Sequence, residues 1–288
     1  MGRCSATSTD AEPTHQLCAL ARAGECCAGT GRLAMVFRAR QARRRECVMR
    51  GLPPGYLEAS HHPKVCLYFL IPLLAVYEGG VFLLGAHDSL AVRSGADAWL
   101  RWLMHNVGLQ ALYWPPMLVA GVLAVWSWFR RSDRPRQPIA VVVGMYVESA
   151  LLALGLLMLA QIQLPFLQVT TTASDWDREW LARAVGYLGA GIYEEFIFRL
   201  LLFPMLWGLL VLMETPWPFD VLGAMLLSAV VFAAAHHIGP YGEPLEGRVF
   251  CFRMLAGVYF AALLKLRGFG VTVGTHAFYD LFVGALMT

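Results

Sequence analysis

The sequence has little charge for its length. Only 15% of its 288 residues are Asp, Glu, Lys or Arg, whereas 58% are hydrophobic. Soluble globular domains average ~25% charged and about 45–50% apolar residues. The shortage of charge therefore argues against a soluble protein, because one soluble core does not need so many apolar side chains. The net charge of +3 is also small and gives no indication of nucleic-acid binding.

Several short signals are absent. None of the seven cysteines forms a CxxC pair, so neither a zinc ribbon nor a thioredoxin-like motif is predicted. The start of the chain has no apolar run typical of a cleaved secretory signal. Ala6 stands where the myristoylation pattern requires Ser or Thr. We therefore expect neither a secretory signal nor an N-terminal lipid anchor.

Residues 1–63 differ from the rest of the chain. Seven arginines lie between residues 32 and 50, with little apolar periodicity. This composition predicts a basic, disordered tail at the cytoplasmic face, although translation starting at Met35 or Met49 would also explain it. Residues 64–288 are predicted to form the transmembrane domain.

Long apolar runs fill the transmembrane domain. A helix crosses the bilayer with about 20 apolar residues. The run 181–213 is much longer than one ~30 Å crossing needs, so we predict two segments broken near Pro204. The fold class is then all-α, a polytopic membrane helix bundle with eight spans, or seven if this run is one tilted helix. The runs are 65–85, 108–129, 138–161, 181–213, 219–238, 249–266 and 269–287.

The charged loops predict an orientation. Four arginines lie in residues 130–137 and three acidic residues in 164–180. Because Lys and Arg are enriched in cytoplasmic loops, the first loop and the N-terminus are expected inside. Lys265 and Arg267 would then lie outside, against this scheme. We expect an integral membrane protein of the bacterial inner (plasma) membrane with a cytoplasmic N-terminus.

Adjacent glutamates stand inside the run 181–213. Ionisable side chains in spans are costly, and they face the interior of the bundle or a water-filled cavity. Glu195 and Arg199 are four residues apart, which predicts an ion pair on one face. Glu194 points about 100° away and has no local counter-charge, so it suits proton transfer. An ion-pair network that only locks helices together is the alternative.

Two further motifs carry histidines. Phe232 and His236 share a helix face, and the three alanines between them allow close helix approach. His276 and Asp280 also share a face, where they can bind a metal or where Asp280 can fix the imidazole tautomer. The structural alternatives are a hydrogen-bonded helix-end histidine and a structural His–Asp pair. We predict structural or boundary roles for His237, Glu78, Glu148 and Arg253.

These motifs together resemble a known family. Glu-Glu-x-x-x-Arg at 194–199, Phe-x-x-x-His at 232–236 and His-x-x-x-Asp at 276–280 stand in this order on apolar helices. The pattern resembles the CPBP family of CAAX prenyl endopeptidases and bacteriocin-processing membrane proteases. Signatures of other intramembrane proteases, HExxH, GxSG and GxGD, are absent from the sequence, as is the GxSxG elbow.

The resemblance implies an endopeptidase that cleaves a peptide bond in or next to the membrane. Glu194 would be the general base on a water, assisted by His236, and His276 with Asp280 would stabilise the oxyanion. Glu195 and Arg199 would form a supporting pair. The implied partners are the lipid bilayer and a membrane-associated or membrane-embedded protein or peptide substrate, with no nucleic acid.

The sequence does not decide whether the protein needs a metal cofactor. Members of the family have been described both as metalloproteases and as metal-free glutamic peptidases. Many members have Asn where this sequence has Asp280. An ionised Asp would repel an oxyanion. Asp280 can therefore take the oxyanion role only if it is protonated or bound to a metal. We therefore expect either no cofactor or one divalent metal such as zinc, held by Glu194, His236, His276 and Asp280.

Two other functions compete with the peptidase. The first is a non-catalytic member of the same fold that acts as an immunity or scaffold protein, against which the intact set of Glu and His side chains argues. The second is a proton-coupled transporter that uses membrane-embedded Glu and His. Such transporters often contain an internal repeat, and the two halves of this sequence show no convincing similarity.

Overall fold

Apolar runs in a bilayer fold as helices, because each backbone group must find its hydrogen-bond partner within the protein. The computed structural model describes residues 55–84, 92–108, 114–130, 138–163, 178–238 and 242–286, and every regular element in these ranges is helical. The predicted all-α polytopic fold is confirmed. The helices are α1 (Tyr56–Ser60), α2 (Pro63–Leu84), α3 (Gly95–Asn106), α4 (Trp114–Phe129), α5 (Pro138–Gln163), α6 (Arg178–Glu195), a π-helical segment (Phe196–Leu202), α7 (Phe203–Leu212), α8 (Phe219–Ala235), α9 (Gly247–Arg267) and α10 (Phe269–Leu286).

Within the described ranges, five stretches are long and apolar enough to cross a membrane. They are Pro63–Leu84, Pro138–Gln161, Trp180–Leu212, Gly247–Arg267 and Phe269–Leu286. The helices α4 and α8 are also apolar but shorter. These seven apolar stretches agree with the lower of the two predicted numbers of spans. All the described residues lie in one unit, Pro53–Thr288.

The predicted break near Pro204 is wrong. Residues Trp180–Leu212 form one continuous helical stretch of 33 residues. Pro204 lies in the first turn of α7, directly after the π-helical segment, where the Phe203 N–H donates to the Phe198 carbonyl. A proline in the first turn of a helix costs little. The backbone N–H at that position has no partner within the helix, so its absence in proline loses no hydrogen bond. The helix therefore continues through the proline.

Two helices are absent from the sequence-based prediction. Helix α3 begins after the N-cap Ser94 and buries Ala96, Asp97, Leu100 and Met104. It was missed because a 12-residue helix containing charged residues gives no long apolar run. Helix α1 lies inside the range 1–63 assigned to the tail. Residues 1–54 lie outside the described part of the chain, as do loop residues 131–137 and 164–177, so the predicted tail and orientation stay predictions.

Charged side chains are concentrated where α2, α3 and α6 meet. Arg93 contacts Asp97 at 2.7 Å and Glu78 at 3.3 Å. Tyr77 donates to Asp97 at 2.8 Å, and Tyr193 donates to Glu78 at 3.3 Å. Opposite charges within one buried cluster offset the cost of removing each from water. Glu78 thus occupies a helix-packing position.

Helix α10 lies at the centre of the bundle. It packs against α2, α5, α6 and α9, and each of its first nine residues, Phe269–Ala277, is buried. Close packing depends on small residues. A Cβ atom at Gly191 would lie 2.8 Å from both the N and the Cβ of Ala277, and one at Gly257 would lie 2.9 Å from the Ala229 Cα. Glycine at these positions brings α6 against α10, and α9 against α8.

We expect Gly191→Ala to destabilise the protein by roughly 1–3 kcal/mol, because the new methyl group meets backbone atoms that cannot turn aside. Gly208→Ala is the matched control, since a Cβ there meets nothing within 4 Å. That change should leave stability unchanged or raise it by about 0.5–1 kcal/mol. Thermal unfolding in detergent measures both. Equal melting temperatures for Gly191→Ala and the parent protein would contradict the close contact.

Candidate active site

Glu195 and Arg199 form a buried ion pair where α6 enters the π-helical segment. Their side chains are 0% and 1% exposed, and Arg199 Nε lies 3.2 Å from Glu195 Oε2. The guanidinium carbon of Arg199 lies 4.0 Å from the ring centroid of Phe232, on α8, and 5.2 Å from that of Phe260, on α9. Cation–π contacts of this kind are strongest when desolvated. Arg199 therefore joins three helices.

His276, on α10, is the second partner of Glu195. Its Nδ1 lies 2.7 Å from Glu195 Oε1, and its ring stacks on Phe260 with centroids 4.6 Å apart. A carboxylate paired with arginine can only accept, so Nδ1 carries the proton and donates it to Glu195. This bond fixes the ring orientation and turns Nε2 toward Glu194 and Asp280.

His236 is positioned by its own helix. It caps the C-terminus of α8, and its Nδ1 lies 2.9 Å from the Phe232 carbonyl oxygen. A carbonyl oxygen accepts, so Nδ1 carries the hydrogen, and the lone pair of the neutral imidazole lies on Nε2. The ring also packs edge-on against Phe232 at a centroid distance of 4.9 Å.

Glu194 stands between the two histidines. Its Oε2 lies 3.8 Å from His236 Nε2 and 3.8 Å from His276 Nε2, while His276 Nε2 lies 3.4 Å from Asp280 Oδ2. The structure thus brings all four predicted site residues together from three helices. The 3.8 Å separations are too long for direct hydrogen bonds, and a water beside them could bond to both Glu194 and His236.

A divalent metal was one of the predicted alternatives. The donors are of a suitable type, because imidazole nitrogens and carboxylate oxygens bind zinc. In the ranges that the structure describes, however, no group of three His, Cys, Asp or Glu side chains is arranged to hold a metal ion.

Two contacts in the site were not predicted from the sequence. The first is the bond from His276 to Glu195, since the motif spacing indicated only a pair with Asp280. The second is the stacking of Phe260 on His276. Phe260 is one of many aromatic residues in apolar runs, and nothing in its local pattern sets it apart. Both contacts join residues distant in sequence, which motif spacing cannot show.

A bundle of apolar helices with Glu, His and Asp side chains at its centre is the architecture of an integral membrane enzyme or transporter. Residues 176–282 match a family model described as type II CAAX prenyl endopeptidase Rce1-like. The matched segment contains all three motifs. The resemblance that we inferred from these motifs is therefore confirmed. The protein is an integral membrane protein, and its residues 176–282 are similar to the Rce1-like, CAAX-type proteases. Comparison with curated proteins and with solved structures gave no match.

We expect Arg199→Ala to destabilise the protein by roughly 3–5 kcal/mol, because it leaves the Glu195 carboxylate buried without its counter-charge. The amount of folded protein in membranes should fall together with the melting temperature. Arg248→Ala, on an exposed position of α9, is the control and should change neither. Normal accumulation and melting of Arg199→Ala would show that the pair is not a structural support.

Proposed function

We propose that the protein is an intramembrane endopeptidase that uses a water molecule activated by Glu194 and His236. The observation that carries this proposal is the position of Glu194 Oε2, 3.8 Å from His236 Nε2 and 3.8 Å from His276 Nε2. A carboxylate facing two imidazoles suits both the acceptance and the return of a proton. The family match to residues 176–282 supports the same reaction class.

The first step is attack by water on the scissile carbonyl carbon. Glu194 Oε2 accepts one proton of the water, and His236 Nε2 orients the molecule by accepting a hydrogen bond from the other. The water oxygen bonds to the carbonyl carbon, and the electron pair of the C=O bond moves to its oxygen. The result is a tetrahedral intermediate with an oxyanion, while Glu194 holds the proton.

The second step breaks the C–N bond. The oxyanion re-forms the carbonyl group, and the leaving nitrogen takes the proton from Glu194. The products are a carboxylic acid and an amine, and the carboxylate of Glu194 is regenerated. One residue thus acts as base and then as acid, so the site needs no second carboxylate for this exchange.

His276 and Asp280 are proposed to stabilise the oxyanion. His276 Nδ1 already donates to Glu195, so a doubly protonated ring has one further donor, Nε2–H, which it can share between Asp280 and the reacting carbonyl. Asp280 Oδ2, 3.4 Å from Nε2, supports this ring when ionised and can itself donate when protonated. Donors held in place at the site of developing charge are the largest catalytic term in many hydrolases.

The proposed substrate is a membrane-associated or membrane-embedded protein or peptide. The side chains of Glu194, His236 and Asp280 are 14%, 24% and 22% exposed. These side chains are partly exposed, although Glu194 Oε2 itself is buried, whereas Glu195 and Arg199 are closed off. A substrate segment would approach along the same side of the bundle.

Glu194→Gln keeps the shape of the side chain and removes the base. We expect an intact, membrane-inserted protein whose cleavage rate falls at least about 100-fold. His236→Ala should lose a similar factor, and the double variant should lose little more, because residues that act as a unit are not additive. Cleavage of a peptide library by purified protein in detergent measures all three. Near-normal turnover by Glu194→Gln would remove the proposed mechanism.

Asp280→Asn separates the two roles open to Asp280. An amide can donate to an oxyanion, so the metal-free mechanism predicts that the rate is maintained or improved. The activity of the parent protein should also survive a chelator. Cleavage assays with and without chelator, together with elemental analysis of the purified protein, provide the measurement. A joint loss of activity and bound metal in Asp280→Asn would establish a metal-dependent site instead.

A further inference from the structure

The chain directly after His236 is held by contacts that lie outside the catalytic group. The Glu243 N–H donates to the His236 carbonyl oxygen at 3.0 Å. The ring Nδ1 of His237 lies 2.8 Å from the Glu243 carbonyl oxygen and donates to it. A Cβ at Gly242 would lie 2.8 Å from the carbonyl carbon and oxygen of His237. The segment around Glu243 is thus bonded back onto the end of α8.

Helix α9 fixes this segment from the other side. Arg253 Nη2 donates to both carboxylate oxygens of Glu243, at 2.8 and 2.7 Å. Three residues earlier on the same helix, Phe250 stacks on the His237 ring with centroids 5.9 Å apart. Residues three apart share a helix face, so one face of α9 holds both contacts. Arg253 therefore has a specific partner, beyond the boundary role predicted for it.

The position of His236 depends on where its helix ends. The last carbonyl groups of a helix have no partner within the helix, and helix ends are where local opening begins. The bond from Glu243 satisfies the His236 carbonyl, and Arg253 holds Glu243 in place. Within the residue itself, the ring is fixed by its bond to the Phe232 carbonyl. Backbone and ring together set the 3.8 Å separation from Glu194.

We propose that Arg253 and Glu243 are positioning residues that hold His236 in line with Glu194. The pair touches none of the proposed reacting atoms and acts through the backbone of residue 236. Because Glu243 is 56% exposed, the pair contributes little to global stability. Its effect lies in placement, since a displacement of about 1 Å at a catalytic group can cost up to about 100-fold in rate. The catalytic part of this inference rests on the proposed peptidase function.

The test uses the full-length protein in detergent and the variants Arg253→Gln, Arg253→Lys and a charge swap, Glu243→Arg with Arg253→Glu. Hydrogen exchange at the Glu243 amide reports the bond to His236, and peptide cleavage gives kcat and KM. Arg253→Gln should exchange faster at Glu243 and lose roughly 10- to 100-fold in kcat, with KM little changed. Arg253→Lys should lie between, and the swap should restore most of both values. Arg248→Gln, the same change on an exposed residue of α9, should behave as the parent protein.

Each result decides one part of the inference. Unchanged exchange at Glu243 in Arg253→Gln would overturn the hold on His236, whatever the activity. Faster exchange with normal kcat would overturn its catalytic importance. If the parent protein cleaved no peptide at all, the proposed function and the positioning role in catalysis would both fall, while the exchange data would still decide whether the pair holds His236.

Discussion

The carboxylate of Glu195 is the point on which the rest of the site depends. It forms an ion pair with Arg199 on its own helix and accepts a hydrogen bond from His276 on α10, and its side chain is completely buried. A charge in this position is tolerated only because both partners bond to it. The bond from His276 decides which way its ring faces, and so which atoms lie near Glu194. The neighbouring glutamates thus have separate surroundings, since Glu195 is paired inside the bundle and Glu194 faces His236 and His276.

Close helix packing holds the Glu, His and Asp side chains of the site near one another. Helix α10 carries His276 within its buried segment and Asp280 just beyond it, and Gly191 lets α6 approach this helix closely. Arg199 reaches across to aromatic rings on α8 and α9, while Gly257 allows those two helices to touch. Small residues and one large cation therefore fix the distances between helices, and the geometry of the candidate site follows from those distances.

The sequence was enough to predict the class of fold and which Glu, His and Asp side chains lie together. Hydropathy located the long spans, and the four-residue spacing of Glu195 and Arg199 predicted their contact. Both predictions use only residues that are close to one another along the chain. It was not enough for α3, whose buried Asp97 is paired with Arg93 in a way that hydropathy does not register. Nor could it predict that Phe260 stacks on His276 or that Arg253 binds Glu243. The break expected at Pro204 failed because a π-helical segment precedes the proline, and span length alone does not reveal such a segment.

Because Glu195 and Arg199 lie on one helix, their ion pair also bears on the order of biosynthesis. On insertion scales, a lone Asp, Lys or Arg at the centre of a membrane helix costs about 2.5–3.5 kcal/mol. The pair can form as soon as its own helix folds, so neither charge enters the bilayer alone. His276 lies 81 residues further along the chain, which takes several seconds to synthesise at about 5–20 residues per second. During that interval arginine alone must neutralise Glu195, and the histidine binds to a carboxylate that is already in place.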